Sequence, residues 1–360
     1  MTQLPIMETS VTTNDSWDFA FLDPSLFSTA CETSGVRNFG RLFMPSLYAV
    51  IFVTGLLGNL LVIVTYVLYV KQKTMTDVYV MNLAIADLIF LCTLPFWAID
   101  AYNEWIFGTS MCKIMNGVYT VNFYSCMLTL ACVSVNRYNL IVQSTKMLKS
   151  KMKIFHSKIV CAGVWGLAIM LALPEFILSE AFDMPDKVIC TMVYPPNSDI
   201  IMVGVHVLQM VVGFLIPCVT IIICYSIIAK TLLKAKGFQK NKSLKIIVAV
   251  VIVFMICELP FNIILLMQTL SIISNESMSC EYKLNRNYAI IITESIAYVH
   301  CSLNPILYVF LGVKFRNNLL KILKDAGCIS QRLLVGCQKT ECETSQQKSG
   351  ISETTSFHPL

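Results

Sequence analysis

M-C-K-I-M-N-G-V-Y-T-V-N-F-Y-S-C-M-L-T-L-A-C-V-S-V-N-R-Y-N-L-I-V, residues Met111 to Val142, decides how the rest of the chain is read. It opens on a cysteine and runs almost without charge to Arg137. A helix rises about 1.5 Å per residue and the hydrocarbon of a bilayer is about 30 Å thick, so this stretch crosses with turns to spare. Cys112 then marks one membrane face, and Asn136, Arg137 and Tyr138 mark the other.

Six further apolar runs flank it: Met44–Val70, Val78–Tyr102, Ile159–Leu178, Ile200–Leu233, Leu244–Leu270 and Tyr288–Leu311. Each is near the length needed to cross a membrane. They lack the period-two alternation of barrel strands, so helices must satisfy the backbone. The composition agrees: 56% of residues are hydrophobic and 14% charged, a balance no soluble domain of 360 residues sustains. The net charge of +5 is no nucleic-acid signature, because the bases sit in short gaps between apolar runs. The expected fold is an all-α membrane protein, a seven-transmembrane helix bundle followed by a short amphipathic helix.

Those gaps set the orientation. Lys71 and Lys73 follow the first run, Lys146 to Lys158 the third, Lys230 to Lys245 the fifth, and Lys314 to Lys324 the seventh. The alternate gaps carry Glu104, Glu180, Asp183, Asp186, Glu276 and Glu281. Positive charge stays inside, so the N-terminus is expected outside and the C-terminus in the cytoplasm. The start of the chain is polar, with no cleavable signal core, so the first run is expected to act as a signal anchor.

Four regions follow. Residues 1–43 form an acidic extracellular tail, 44–311 the transmembrane domain, 312–326 a membrane-surface helix, and 327–360 a cytoplasmic tail rich in Ser and Thr. Asn14, and Asn275 in an outer gap, lie in glycosylation sequons. K-F-R-N-N-L-L-K-I-L-K-D, Lys314 to Asp325, places apolar residues at helical spacing with bases opposite, as a helix lying on lipid would. Cys328 beyond it is a candidate palmitoylation site, and the terminal Ser/Thr cluster a candidate for phosphorylation.

Of fifteen cysteines none forms a C-x-x-C pair, and most lie inside apolar runs as small packing residues. Four fall outside the cell: Cys31, Cys112, Cys190 and Cys280. An even count in an oxidising compartment favours disulfides, with three pairings open. Several polar groups stand at membrane depth, where an ionisable residue is a functional-site hypothesis by default. Glu294 either meets a ligand cation or pairs internally with Lys283 or Arg286. Asp87, Asn122, Asn304 and His300 lie at depths that converge, either around a cation or as an interhelical hydrogen-bond network. Glu258, in apolar surroundings, is expected to be neutral and to donate a hydrogen bond across the core.

Ordered one per span, Gly58-Asn59, L-A-I-A-D ending at Asp87, Arg137, Trp165, Pro217 with Tyr225, Phe254 with Cys257-x-x-Pro260, and Asn304-Pro305-x-x-Tyr308 resemble the rhodopsin-like G-protein-coupled receptors. Within that class Thr76-Asp77-Val78-Tyr79, Thr93-x-Pro95-Phe96-Trp97, Trp105-x-Phe107, Asn122-Phe123-Tyr124 and His300-Cys301-x-Leu303 resemble the CC chemokine receptors. C-T-M-V-Y-P at Cys190–Pro195 and G-C-I-S-Q at Gly327–Gln331 are similar to the type 9 branch. The Lys314–Asp325 stretch is similar to type 6.

The resemblance implies a receptor for a small basic secreted protein, acting through inhibitory-class heterotrimeric G proteins, arrestin and receptor kinases to direct leukocyte chemotaxis. It implies an outer pocket of Tyr48, Trp97, Tyr119 and Glu294, disulfides Cys112–Cys190 and Cys31–Cys280, and a sodium ion held by Asp87, Asn122 and Asn304. No other cofactor is expected, and lipid is the remaining partner. Asn136, Arg137, Tyr138, Tyr225, Glu258, Asn304, Pro305 and Tyr308 are the implied coupling residues.

Three departures stand out. Residues 1–47 hold no tyrosine, so the sulfated tyrosines common in such tails are absent. Glu258 stands where the family has Trp or Gln. Asn136 replaces the acid that usually precedes the inner arginine, which leaves two readings: a signalling receptor with raised basal activity because Arg137 is freer, or an atypical scavenger with weak coupling. A transporter is disfavoured, with no inverted repeat or paired discontinuous helices. An enzyme is disfavoured too, with neither H-E-x-x-H nor G-x-S-x-G present.

Overall fold

A computed structural model describes residues 34–70, 74–143, 150–184, 187–196, 198–234, 241–274, 279–311, 313–325 and 327. The first span is α1, Ser34–Val64, extended by a π turn over Thr65–Tyr69. The second is α2, Met75–Leu91, and α3, Leu94–Tyr102, broken at Cys92-Thr93. α4, Gly108–Ile141, is the unbroken third span. α5, Ser150–Leu171, and α6, Leu173–Leu178, make the fourth. α7, Asp199–Leu208, a π segment Gln209–Leu215, and α8, Ile216–Lys234, make the fifth. α9, Asn241–Ser274, and α10, Cys280–Leu311, complete the bundle, and α11, Val313–Asp325, follows.

Six of these rods are apolar and long enough to cross a bilayer. The seventh, α10, is 32 residues long, about 48 Å, but its outer turns are charged and its interior is polar. The breaks sit where the backbone ladder is interrupted. Pro95 starts α3, Pro174 starts α6, and Pro217 follows the π segment, each lacking the N–H that a continuous helix needs.

The bundle turns apolar side chains outward and buries a set of polar groups within its apolar core. Leu42, Leu57, Ile222 and Ile256 face outward, each more than half exposed, whereas Asn59, Asp87, Glu258, Glu294, His300 and Asn304 are buried. Interhelical hydrogen bonds tie the rods where apolar contact with lipid would be equally favourable. Asn59 Nδ2 donates to the Cys301 carbonyl at 2.8 Å, joining α1 to α10. Trp165 Nε1 donates to Asn82 Oδ1 at 3.2 Å, joining α5 to α2.

Several helix starts and one outer segment differ from the expectation drawn from hydropathy; α5, for one, begins at Ser150 rather than Ile159. α1 begins at Ser34, ten positions ahead of Met44, because Val36 and Gly40 are buried and Phe39 packs edge-on against Tyr288 of α10. α10 begins at Cys280 rather than Tyr288. The outer segment after α6 forms a hairpin, β1 Ser179–Asp183 against β2 Val188–Met192, with Ala181 opposite Cys190. α11 lies close to its expected limits; Phe315 packs toward Tyr66, and Tyr69 Oη donates to Asp325 Oδ2 at 3.0 Å.

Candidate functional site

The hairpin roofs the outer end of the bundle. A disulfide joins Cys112, in the first turn of α4, to Cys190 on β2. Polar contacts hold the rest of the roof. Lys113 Nζ donates to the Ile177 carbonyl at 2.7 Å, and the Ala181 N–H donates to Thr109 Oγ1 at 3.3 Å. On the far side the Trp105 N–H donates to the Val188 carbonyl at 3.0 Å. Cys280 is also disulfide-bonded; Cys31 lies outside the described residues, as do Asn14, Asn275 and Cys328.

Beneath the roof opens a small pocket of about 60 Å³. Tyr119 and Glu294 line it, with Asn116, Glu175, Met192 and Gln268. Glu294 is held by Tyr298, one turn on, whose hydroxyl donates to Oε1 at 2.8 Å. Glu175, on α6, is buried and its Oε2 has no hydrogen-bond partner among the described residues. Two buried carboxylates therefore line one partly open, mostly apolar pocket, an arrangement suited to a cation.

Tyr48 and Trp97 do not line this cavity. Tyr298 stands between: its ring lies 5.5 Å from Tyr48 and 5.3 Å from Tyr119, and Phe90 packs on it at 5.0 Å. Trp97 stacks against Trp105 at 5.4 Å behind this cluster. Both residues support the wall rather than form it. Glu175 was open to recognition in the sequence by the argument used for Glu294, since it too lies in an apolar run at membrane depth. Gln268 gives no comparable signal.

Deeper, Asp87 is the hub of a buried polar cluster. Asn304 Nδ2 donates to its Oδ2 at 3.0 Å and Asn122 Nδ2 to its Oδ1 at 3.5 Å. Cys126 Sγ lies 3.7 Å and His300 Nε2 3.9 Å from Oδ1. Asp87 is thereby the acceptor at the centre of a hydrogen-bond network that joins α2, α4 and α10. Glu258 is buried on α9, and its Oε1 lies 3.4 Å from His300 Nδ1 on α10.

At the inner end Arg137 is not released by the loss of its acidic neighbour. Its Nη2 donates to Thr76 Oγ1 on α2 at 2.8 Å. Thr76 is presented by a capping box: the Asp77 N–H donates to Thr74 Oγ1 at 3.3 Å and the Thr74 N–H to Asp77 Oδ2 at 2.7 Å. Asn136 Nδ2 is buried with no hydrogen-bond partner among the described residues. Tyr138 and Tyr225 are half-buried, on α4 and α8, and Pro305 lies within α10. The side chain of Tyr308 lies outside the described residues.

The rhodopsin-family seven-transmembrane receptor domain matches residues 58–308, which is most of this bundle. Human C-C chemokine receptor type 7 is 40% identical over 99% of this chain and 95% of its own length. The chain belongs to the CC chemokine receptors. Human C-C chemokine receptor type 9 is 43% identical over 91% of this chain and 89% of its own, and human type 6 is 40% identical over 84% and 82%. Identity is spread evenly over types 7, 9 and 6, so the short type 9 and type 6 stretches do not single out one branch. A CC chemokine receptor is a multi-pass plasma-membrane protein and not an enzyme, in agreement with the absence of hydrolase motifs from the sequence.

Proposed function

We propose that this receptor binds a CC chemokine and signals through inhibitory-class heterotrimeric G proteins, with arrestin and receptor kinases acting on its cytoplasmic face, to direct leukocyte chemotaxis. The observation that carries this reading is the pair of buried carboxylates, Glu175 and Glu294, facing one cavity under a disulfide-anchored roof. The amino end of a small basic protein brings a cation to this acidic pocket, and the acidic stretch ahead of α1 steers it there. A ligand shifts a two-state bundle only by binding one state better. Here, compensation of buried charge provides that difference.

The competing reading, an atypical scavenger, draws on Asn136, whose amide nitrogen finds no partner where the family has an acid. The hydrogen bond from Arg137 to Thr76 favours signalling, because the inner arginine is still held by a group that activation can release. Cells expressing the chain and exposed to a chemokine panel separate the two. G-protein activation together with ligand uptake supports the signalling receptor, and uptake with no G-protein response overturns it.

A further inference from the structure

The pocket under the hairpin holds polar atoms that the fold itself does not use. Glu175, on α6, is only 6% exposed, and its Oε2 has no hydrogen-bond partner among the described residues. The hydroxyl of Tyr119, on α4, is likewise buried and without a hydrogen-bond partner among them. Both side chains line the pocket, so a carboxylate oxygen and a hydroxyl are turned into one space. A buried polar group left unpaired is costly, and a ligand that completes it recovers that cost.

The two acids of the pocket stand on separate walls. α6 packs against α4, α5 and β1, whereas α10 packs against α9, α1 and α2. Glu294 lies several turns inside α10 and already accepts from Tyr298 at 2.8 Å. Glu175 lies within about one turn of the hairpin root at Ser179. An ammonium bound at Glu294 therefore stands against one wall and leaves Glu175, on another, unmet. Among the described residues that line the pocket none is Lys, Arg or His, so the charge that meets Glu175 comes with the ligand too.

We infer that the pocket selects an amino end with two positive charges: the α-ammonium, which meets Glu294, and a lysine or arginine side chain on the first or second residue, which meets Glu175. This rests on the reading of the chain as a receptor for the amino end of a small basic protein, and it names the kind of amino end. Phe261, Ile264 and Leu265 line the same space and suit the aliphatic stem of the basic side chain. The Tyr119 hydroxyl is left to donate to a backbone carbonyl of the ligand. Glu175 is thereby a specificity-determining residue, which separates basic amino ends from neutral ones.

Purified full-length receptor is titrated with lysine amide and alanyl-lysine amide, and with the same two compounds carrying norleucine in place of lysine, which keeps the length and drops the second charge. Affinity is read from the ligand-dependent rise in melting temperature. At least one lysine probe is expected to bind the wild type about tenfold or more tighter than its norleucine counterpart. Glu175→Gln removes that preference, and Glu294→Gln weakens binding of every probe. Equal affinity of lysine and norleucine probes for the wild type overturns the inference, as does the absence of saturable binding. So does a Glu175→Gln receptor that keeps the lysine preference, and the wild-type comparison decides the matter even where that variant fails to fold. A chemokine panel on cells expressing the receptor separates the two readings. A chemokine response without a lysine preference sinks the inference alone, whereas a lysine preference with no chemokine response supports the two-charge site and sinks the chemokine reading.

Discussion

Arg137 donates a hydrogen bond to Thr76 at 2.8 Å, across 61 positions of sequence and from the inner end of α4 to the first turn of α2. The acid that usually precedes this arginine is Asn136 here, so a neutral hydroxyl on another helix takes over the restraint. A hydrogen bond to a charged group contributes about 1.5–3 kcal/mol. Thr76→Val keeps the shape and removes the acceptor, and it is expected to raise ligand-free G-protein activation about tenfold or more. Unchanged basal activity in a variant with normal surface expression would show that Thr76 restrains nothing.

Asn136→Asp places a carboxylate back beside Arg137. With Thr76 intact, the added charge is expected to lower basal activation while leaving chemokine binding unaltered. A gain of ligand-driven coupling from a silent parent would instead support the scavenger reading, and paired measurement of basal and stimulated nucleotide exchange distinguishes the two.

The two cavity carboxylates make a matched pair of tests. Glu294→Gln and Glu175→Gln each remove one buried charge without changing volume, and each is expected to weaken chemokine potency about 10- to 100-fold. Tyr298→Phe deletes the hydroxyl that donates to Glu294 and should cost less, since it disturbs orientation and not charge. Tyr48→Phe and Trp97→Phe, behind the wall, are expected to affect stability more than potency.

Packing gives a prediction independent of signalling. A Cβ at Gly117 would fall 2.2 Å from the Phe176 ring, at the contact of α4 with α6, whereas a Cβ at Gly166 meets nothing within 4 Å. Gly117→Ala is expected to destabilise the purified receptor by about 1–3 kcal/mol, an overpacking cost, and Gly166→Ala to leave its melting temperature unchanged or raise it. Equal melting curves for the two variants would contradict the described junction.

Much of this architecture is written in hydropathy, because a bilayer demands about twenty apolar residues per crossing. Even α10, with Glu294, His300 and Asn304 in its interior, is legible as a crossing from its place in the order. The hairpin Ser179–Met192 was not legible. Its strands are five residues each, and they are anchored by Cys112 and Thr109 on a neighbouring helix. The early start of α1 at Ser34 likewise depends on contacts with α10 that no local pattern encodes. At the site, Glu294 and Tyr119 were readable as a polar charge and an aromatic near the outer end. The exclusion of Tyr48 and Trp97 was not, because it turns on Tyr298 occupying the space between them. Glu258 was conspicuous, but its pairing with His300 emerges only when α9 and α10 are packed together.

In the proposed mechanism, charge compensation in the outer pocket is felt at Arg137 on the inner face. Chemokine binding to purified receptor and nucleotide exchange on added G protein, measured side by side for the wild type, Glu294→Gln and Arg137→Ala, test it most directly. Glu294→Gln should lose affinity and activation together, while Arg137→Ala should bind chemokine and fail to activate. Full activation by Arg137→Ala, or undiminished affinity in Glu294→Gln, would contradict the claim.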